Sequence, residues 1–440
     1  MRILVVGGGG REHALAWKIS QSPLLSALYC APGNPGTARL GTNLPIKADD
    51  VDGLVKAAID LRIDLVVVGP EVPLVLGLVD ACTAKGIKAW GPSKAAAQLE
   101  GSKVALKEFL RRHNIPTAPF RHFTRSADAH AYLDTLAPPS PSQLTAKSAW
   151  IVVKADGLAA GKGVTVAKTP AEAHDAVVRI MERHEFGAAA GRQVVIEDVL
   201  RGEEISVFAL CDGRNAVLLD HVQDHKQVFD GDEGPNTGGM GAFTPVPGLV
   251  KERDEDDLIR RILLPTMTGL MREGRPYVGV LYLGLMMTDS GPKVIEYNVR
   301  FGDPECQALM LRLKSDLVAV ILASLAGTLD QVDLDWEGGT SICVTLASGG
   351  YPGKHPVDLP ITGIDDAEKA GAVVFHAGTR EKDGRTLTAG GRVLSVCARG
   401  ADLEAARDLA YRGCAAISFD GKHFRSDIGR RREARRARAL

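Results

Sequence analysis

Short apolar segments that run into glycine-rich turns and then into helical segments recur through the first ninety residues. Residues 2–6 lead into four consecutive glycines at 7–10, and residues 64–68 lead into Gly69. A helical pattern follows each of these turns. Repeated strand–helix units of this kind predict an α/β fold with a parallel, doubly wound sheet. Ligands of such sheets bind at the turns that follow the strands.

Composition narrows the class of protein. The chain has 440 residues, of which 45% are hydrophobic and 24% charged, as expected for a folded enzyme of several domains. Its formal net charge of -1 gives no support to a nucleic-acid or membrane-surface binder. Seven cysteines are scattered singly, and no apolar run reaches the length of a signal-peptide core or a membrane span. We therefore expect a cytoplasmic protein without a disulfide framework. Independently of these features, we expect a monomer.

The turn at residues 7–10 follows a strand and opens a helix. Backbone amides at such a position favour an anion, most naturally a phosphate. The dinucleotide fingerprint is incomplete, because Arg11 and Glu12 stand where its third glycine belongs. Phosphate binding and a simple tight turn therefore both remain open. A helix beginning after Ser93 and reaching His113 is predicted further on.

A second glycine-rich turn, residues 157–163, lies between apolar segments at 151–154 and 164–167. This order predicts a hairpin whose glycines and Lys162 fold over a polyphosphate, with Lys154 contacting phosphate oxygens from the adjoining strand. The spacing is not that of a P-loop. The alternative is a mobile surface hairpin.

Residues 293–300 form the sharpest constellation. Strand alternation predicts Val294, Glu296 and Asn298 on one face, where a carboxylate and an amide oxygen suit Mg²⁺ shared with phosphates. Arg300 would add fixed positive charge to a phosphoryl or oxyanion centre. The alternative is a strand whose polar face meets water.

Residues 194–210, read as two strands and a connector, could form an adenine slot with Leu200 and Glu204, or an ordinary charged turn. The polar residues around Asp224, Lys226 and the loop 234–241 could orient a substrate.

Taken together, these segments resemble the ATP-grasp ligases, in particular those that join glycine to 5-phosphoribosylamine. The resemblance extends from Gly7 to Gly429. It is carried by Gly9-Gly-Arg-Glu-His-Ala-Leu15, Ala31-Pro-Gly-Asn34, Val68-Gly-Pro-Glu71, Gly101-Ser-Lys103, Lys154-Ala-Asp-Gly-Leu-Ala-Ala-Gly-Lys-Gly163, Gln223-Asp-His-Lys226, Gly234-Pro-Asn-Thr-Gly-Gly-Met-Gly241, Glu296-Tyr-Asn-Val-Arg-Phe-Gly-Asp-Pro-Glu305 and His376-Ala-Gly-Thr379.

The resemblance implies a domain plan and a reaction. It implies a substrate-binding domain at 1–103, a two-lobed ATP-grasp domain at 104–327, a small α+β domain at 328–429 and a basic tail at 430–440. In the implied reaction, ATP phosphorylates glycine, and the amine of 5-phosphoribosylamine attacks the glycyl phosphate to give glycinamide ribonucleotide, ADP and phosphate. This is the second step of de novo purine synthesis.

The resemblance also implies residue roles. Glu296 and Asn298 would hold Mg²⁺ or Mn²⁺, and Arg300 and Lys154 would act in catalysis. The implied ATP-binding residues are Lys107, Lys154, Gly161, Lys162, Gly163, Glu197, Leu200 and Glu204. The implied substrate-binding residues are Gly9, Gly10, Asn34, Glu71, Asp224, Lys226, Asn236 and Asp303.

Three other functions are compatible with parts of the sequence. An ATP-grasp carboxylase or formate-using enzyme would share the nucleotide motifs, although the string at 235–241 and the long C-terminal region argue against it. An NAD-dependent dehydrogenase would rest on the first glycine turn alone, and no acidic residue ends the second strand to bind a ribose. A non-catalytic nucleotide-binding regulator would not need Lys154, Glu296, Asn298 and Arg300 together.

Overall fold

The computed structural model describes residues 1–137, 150–158, 163–246, 248 and 252–430. The proline- and serine-rich segment near 137–149 and the basic tail therefore fall largely outside the described residues, as do Gly161 and Lys162 of the second glycine turn.

The N-terminal region contains the predicted parallel sheet. Its strands are β1 (Arg2–Gly7), β2 (Ala27–Pro32), β3 (Thr42–Asn43), β4 (Leu65–Val68) and β5 (Lys88–Trp90), in the order β3-β2-β1-β4-β5. All neighbouring strands are parallel. The connecting helices are α1 (Gly10–Ile19), α2 (Val51–Asp60), α3 (Glu71–Leu76) and α4 (Leu78–Thr83). The doubly wound α/β prediction is confirmed.

The predicted helix from Ser93 to His113 is wrong. Two helices occupy this segment, α5 (Gln98–Gly101) and α6 (Lys103–Arg112). Ser102 between them has an extended backbone, and its hydroxyl accepts a hydrogen bond from the Ala105 amide at 3.0 Å. Ser102 is therefore the N-cap of α6, and the chain direction changes before Lys103 and Lys107.

A four-stranded antiparallel sheet follows, and we call residues 120–198 the small lobe. Its strands are β6 (Phe120–Phe123), β7 (Ile151–Ala155), β8 (Val164–Ala167) and β9 (Val194–Asp198), in the order β6-β9-β7-β8. Helices α7 (Ser126–Thr135) and α8 (Pro170–Val177) pack against each other and cover it. β7 and β8 are antiparallel neighbours, which confirms the predicted hairpin strands around the second glycine turn.

A second antiparallel sheet faces the small lobe. Its strands are β10 (Glu203–Asp212), β11 (Ala216–Leu218), β16 (Val278–Thr288) and β17 (Gly291–Asn298), in the order β11-β10-β16-β17. Helices α9 (Glu252–Leu258) and α10 (Leu264–Arg272) belong to the same region. A β-bulge leaves Ile295 between the pairs Leu285–Val294 and Gly284–Glu296. Since the bulge interrupts the alternation, the prediction that Val294 shares a face with Glu296 and Asn298 is wrong. Val294 is instead fully buried in the apolar core.

The C-terminal region shares a sheet with the centre of the chain. The strands are β12 (Gln223–Asp224), β15 (Gly241–Thr244), β18 (Thr340–Ala347), β19 (Val373–His376) and β22 (Arg392–Gly400), in the order β12-β15-β18-β22-β19. Two hairpins accompany it, β13 (Gln227–Phe229) with β14 (Glu233–Asn236), and β20 (Thr379–Lys382) with β21 (Arg385–Thr388). The domain boundaries at 103, 327 and 429 stay predictions.

The remaining helices are α11 (Glu305–Arg312), α12 (Leu317–Ala326), α13 (Ile364–Lys369) and α14 (Leu403–Ala416), with short 3₁₀ turns at Thr37–Arg39, Ala190–Arg192 and Leu329–Gln331 and π-helical turns at Val178–Glu182 and Ile259–Leu263. All seven cysteines are free and buried. Over the described ranges, no helix combines the length and apolar character needed to cross a bilayer.

Candidate active site

A cleft of about 540 Å³ lies where the two antiparallel sheets face each other. The N-terminal and C-terminal regions also contribute to its wall. The predicted site residues that line it are Lys154, Gly163, Glu197, Leu200, Glu204, Glu71, Asp224, Lys226, Asn236, Asp303, Glu296, Asn298 and Arg300. The fold thus brings together residues separated by more than two hundred positions in the sequence.

Two buried lysines share one carboxylate in this cleft. The Nζ atom of Lys154, on β7, lies 2.5 Å from Oε1 of Glu197, on β9, and Lys107 from α6 pairs with Oε2 of the same residue. Burial lowers the pKa of Lys107 to about 8. Burial would raise the pKa of Glu197, but the two ammonium groups hold it below its usual value. Glu197 therefore carries charge that orients both lysines, a contact that the sequence did not predict.

Lys154 also joins the two sheets. Its ammonium donates to the Ile295 carbonyl at 3.2 Å, across the cleft and one residue before Glu296. Lys107 donates to the Thr117 hydroxyl at 2.7 Å, and this hydroxyl donates to the Val294 carbonyl at 2.7 Å. The lysines are thereby fixed relative to β17. Lys107 itself lies behind the cleft surface rather than on it.

The base of the second glycine turn is tied to the N-terminus of α6. Asp156 accepts hydrogen bonds from the Ser102 hydroxyl at 2.9 Å and from the Val104 amide at 3.1 Å. Lys103 donates to the Gly157 carbonyl at 3.1 Å and lines the cleft. Gly163 lines the cleft as predicted, whereas the predicted contacts of Gly161 and Lys162 lie outside the described residues.

Lys226 lies among three carboxylates. Its ammonium pairs with Glu204 and lies 4.0 Å from oxygens of both Asp224 and Glu296. Burial would lower the pKa of Lys226, but these acids raise it well above its usual value. Burial raises the pKa of Asp224. This cluster connects the proposed ribose residue Glu204 to the proposed metal ligand Glu296.

Glu296 and Asn298 present oxygen donors from the end of β17. Burial would raise the pKa of Glu296, but Lys226, Lys154 and Lys103 hold it below its usual value, so the carboxylate is ionised. The Asn298 Oδ1 atom accepts from Arg300 Nη2 at 3.3 Å. An ionised carboxylate and an amide oxygen in one cleft are the hard donors that a divalent cation prefers when phosphate oxygens complete its shell. The residues therefore fit the predicted metal.

Arg300 is held by two further acids. Its Nε atom donates to Glu71 at 3.1 Å, and its Nη2 atom donates to Glu100 at 2.8 Å. Burial would raise the pKa of Glu71, but Arg300 and Arg11 lower it to about 2. Burial outweighs the guanidinium at Glu100 and raises its pKa to about 7. Glu71 was predicted in the site, but Glu100 was not.

The first glycine turn is occupied by the protein's own carboxylates. The Gly9 amide donates to Glu12 Oε2 at 2.7 Å, and the Arg11 amide donates to Asp303 Oδ2 at 3.1 Å. Asn34 donates from Nδ2 to the Gly8 carbonyl at 3.0 Å and to the His376 carbonyl at 2.8 Å. Gly9, Gly10 and Asn34 therefore adjoin the cleft through Asp303 and Arg11 without lining it.

The cleft residues that were missed from the sequence include Arg11, Glu100, Lys103 and Arg392. Arg392 begins β22 and donates from Nη1 to the Gly238 carbonyl at 3.0 Å and to the Asp303 carbonyl at 2.5 Å. Lys103 and Arg11 stood within the strings that carry the family resemblance and could have been selected there. Glu100 and Arg392 carry no local signal, since only the fold brings them to the cleft.

Comparison with known proteins agrees with this architecture. Sequence profiles described as phosphoribosylglycinamide synthetase N domain, ATP-grasp (A) domain and C domain match residues 1–100, 101–306 and 341–431. Phosphoribosylamine--glycine ligase of Caulobacter vibrioides is 51% identical over 431 residues, covering 98% of each chain, and that of Vibrio cholerae is 48% identical over 438 residues, covering 99% of each. The crystal structure of phosphoribosylamine--glycine ligase from Thermotoga maritima, 33% identical, superposes with a TM-score of 0.84 and covers 98% of this chain and 100% of its own.

The profiles together span most of the sequence, and the identities extend along its whole length rather than over one module. The cleft lies where the matched N, A and C regions meet. The chain therefore belongs to the phosphoribosylglycinamide synthetase family.

Proposed function

We propose that the cleft between the two antiparallel sheets carries out the ATP-dependent ligation of this family through the residues described above. The observation that carries the assignment is the position of Lys154, which lies 2.5 Å from Glu197 and 3.2 Å from the carbonyl before Glu296. Lys154, which we assign to the phosphates, and Glu296, which we assign to the metal, thus lie next to each other on facing sheets. Membership of a ligase family leaves the dehydrogenase and regulator interpretations without support.

The reaction proceeds in two transfers. A carboxylate oxygen of glycine attacks the γ-phosphorus of ATP, the bond from that phosphorus to the bridging oxygen breaks, and ADP leaves. The amine of 5-phosphoribosylamine then attacks the acyl carbon, phosphate leaves with the electron pair of the carbon–oxygen bond, and the amine loses a proton. No protein nucleophile is required, so the protein contributes positioning and positive charge.

The ATP site uses the small lobe. Lys154 contacts the phosphates directly. Lys107, which lies behind the cleft surface, adds its positive charge through Glu197, the carboxylate that orients both ammonium groups. The turn at 161–163 covers the phosphates, Glu197 and Leu200 frame the adenine, and Glu204 accepts from ribose hydroxyls. Backbone amides of a glycine turn donate to phosphate without side-chain obstruction, which suits this role.

Glu296 and Asn298 would hold a divalent cation, Mg²⁺ or Mn²⁺, which would supply positive charge against the phosphates of ATP. Arg300 lies beside Asn298 at 3.3 Å and supplies a fixed guanidinium to the transferred phosphoryl group or the tetrahedral species. Its two acids, Glu71 and Glu100, orient that guanidinium.

The substrates lie on the opposite side of the cleft from the small lobe. Asp224, Lys226, Asn236 and Asp303 contact glycine and the amine. Gly9, Gly10, Asn34 and Glu71 serve the phosphoribosyl group, with the first glycine turn nearest the sugar phosphate. Rearrangement of Glu12 away from the Gly9 amide would free that donor.

We further expect a cytoplasmic monomer without nucleic-acid or membrane partners, and light scattering in solution tests the oligomeric state.

The test is release of ADP that depends on both glycine and freshly prepared 5-phosphoribosylamine, with glycinamide ribonucleotide detected by mass. If turnover of ATP required bicarbonate or formate and ignored glycine, the proposal would be overturned.

Glu296→Ala should abolish metal-dependent ligation, because one of the two oxygen donors is lost, while circular dichroism and thermal melting remain those of a folded protein. Substantial residual activity in this variant would remove the metal assignment alone.

A further inference from the structure

The C-terminal segment 423–429 follows α14 and crosses to the hairpin β13–β14. Arg425 in this segment is fully buried. Its Nε and Nη2 atoms donate to the two carboxylate oxygens of Asp427 at 2.7 Å each, and Nη1 donates to the Gln227 carbonyl at 3.1 Å and to Asp232 at 3.2 Å. A buried guanidinium destabilises a protein unless its donors are paired, so this contact is an integral part of the fold.

Further contacts bind the same hairpin to the same segment. The Ser426 amide donates to Asp230 at 2.8 Å, and the Gly231 amide donates to Asp427 at 2.9 Å. A ring nitrogen of His423 lies 2.8 Å from the Val228 carbonyl. The turn of the hairpin is therefore held on both its backbone and its side chains by residues nearly two hundred positions away.

Both ends of this hairpin lead directly into the cleft. Lys226, which precedes β13, lies 4.0 Å from Glu296 and pairs with Glu204. Asn236, Thr237 and Gly238 line the cleft at the other end. The Thr237 amide and hydroxyl each hydrogen-bond the Lys226 carbonyl at 2.8 Å, so the two ends are joined to each other.

We propose that residues 423–429, through Arg425 and Asp427, position the hairpin that forms the glycine side of the cleft. This inference rests on the proposed function. Glycine must bring its carboxylate to the γ-phosphate at Glu296, and Lys226 is the ammonium that the hairpin places beside that residue. Arg425 is a positioning residue, since it acts through Gln227 and Asp427 rather than on substrate.

Of the ATP-binding residues, Glu204 is connected to the hairpin because it pairs with Lys226, whereas the phosphate-binding group is held by other contacts. Within the described part of the chain, the ion pairs and side-chain hydrogen bonds of Lys107, Lys154 and Glu197 join them to one another and to Thr117 and Ile295. None of these contacts reaches 423–429. A loosened hairpin should therefore weaken the use of glycine more than the use of ATP.

The experiment compares Arg425→Lys, Arg425→Gln and Asp230→Ala in the full chain. A loss of alignment at the reacting carboxylate should raise the KM for glycine by about tenfold in Arg425→Gln, with a smaller rise in Arg425→Lys and a clearly smaller rise, about two- to threefold, in the KM for ATP. Amide hydrogen exchange at residues 228–236 should become faster in the same order. Asp230→Ala, at an exposed position, should raise the glycine KM slightly without unfolding the protein.

Arg399→Gln is the matched control, because Arg399 pairs with Glu337 at 2.8 Å in the C-terminal region away from the hairpin. The positioning role would be overturned if the KM values for ATP and glycine rose equally. It would also be overturned if the glycine KM stayed unchanged in folded Arg425→Lys and Asp230→Ala. In either case the ligase assignment stands. If the wild-type protein itself failed to use glycine, the proposed function would fall instead. Should Arg425→Gln not fold, the other two variants decide.

Discussion

At the scale of single residues, Arg300 contacts two carboxylates whose pKa values are displaced in opposite directions. The pKa of Glu71 lies at about 2, where burial is outweighed by Arg300 and Arg11. The pKa of Glu100 lies at about 7, because burial and the nearby charge of Glu71 outweigh the same guanidinium. Of these two carboxylates, only Glu100 therefore changes its charge between pH 5 and 8. It does so next to Arg300, which we propose to stabilise the transferred phosphoryl group.

This difference predicts a pH dependence of stability. The folded protein keeps the Glu100 proton up to about pH 7, whereas the ordinary value for the unfolded chain is 4.5. Since the folded state binds more protons in that interval, the contribution of Glu100 to the free energy of unfolding is fully present below pH 4.5 and is lost as the pH rises through 7. Glu100→Gln should remove this decrease, a slope of up to about 1.4 kcal/mol per pH unit, in urea denaturation measured from pH 5 to 7.

A control variant distinguishes this effect from the loss of any acidic group. Glu273 pairs with Arg112 and Arg275 near the surface, and its hydrogen bonds to His113 and to these arginines lower its pKa to about 2, against burial. Its contribution to stability is lost only as the pH falls below 4.5. Glu273→Gln should therefore leave the slope between pH 5 and 7 unchanged. An unaltered slope in Glu100→Gln would show that Glu100 titrates at its usual pH.

At the scale of elements, the N-terminus of α6 and the base of the second glycine turn form one unit through Asp156. Asp156→Ala removes the acceptor for the Ser102 hydroxyl and the Val104 amide, and we expect a loss of about 1 kcal/mol in the free energy of unfolding. Because Lys103 and the Gly157 carbonyl meet at the same place, the KM for ATP should also rise several-fold. Steady-state kinetics and urea denaturation measure the two effects.

The matched variant is Asp402→Ala. Asp402 caps α14 by accepting from the Ala405 amide at 2.8 Å, in the C-terminal region away from the ATP side of the cleft. It should lose similar stability with an unchanged KM for ATP. If both variants shifted the KM equally, the connection between α6 and the glycine turn would have no part in nucleotide binding.

Elements with a strong local pattern could be predicted from the sequence, and those set by distant contacts could not. The strands around residues 2–6 and 64–68, and the hairpin strands next to Lys154, have long apolar runs that only a buried strand explains. The break at Ser102 was missed because the helical pattern continues across it, although Ser102 is a residue type that caps helices. The further hydrogen bond from its hydroxyl to Asp156, fifty-four residues later, could not be seen locally. The bulge at Ile295 follows from pairing with β16, which no local periodicity encodes.

The same distinction applies to the site. Lys154, Glu296 and Arg300 stand out because charged residues adjoin or interrupt apolar strands, whereas Glu100 and Arg392 lie in ordinary polar surroundings and acquire partners only in the folded chain. The shared carboxylate of Glu197 was likewise invisible, since Lys107 and Lys154 reach it from separate elements.

At the scale of the whole molecule, the apolar interior is divided unequally. One core cluster contains residues of the small lobe alone, between Ala129 and Ile196. Two larger clusters combine side chains of the N-terminal region with those of the second antiparallel sheet, and one of them also includes Cys343, Phe375 and Cys397 from the C-terminal region. The small lobe therefore has its own interior, and a further cluster that includes Ile342, Val374 and Val396 gives the C-terminal sheet one as well, while the N-terminal region and the second antiparallel sheet are packed together. Regions with separate cores can open with their own free energies.

This division predicts that the small lobe can be destabilised independently, and two isoleucines provide a matched test. Ile196 lies in β9 between β6 and β7, and Ile342 lies in β18 between β15 and β22; both are almost fully buried. Replacing either by alanine should cost about 2–5 kcal/mol locally. Ile196→Ala should speed amide exchange across the described part of 120–198 and weaken ADP binding, with little change in β18 and β22. Ile342→Ala should speed amide exchange in the C-terminal sheet and leave exchange in the small lobe unchanged. In the wild type, ADP binding should slow exchange in the small lobe. Uniform acceleration over the whole chain in Ile196→Ala would mean that the small lobe unfolds only with the rest of the molecule, so that access to the nucleotide cannot depend on its separate opening.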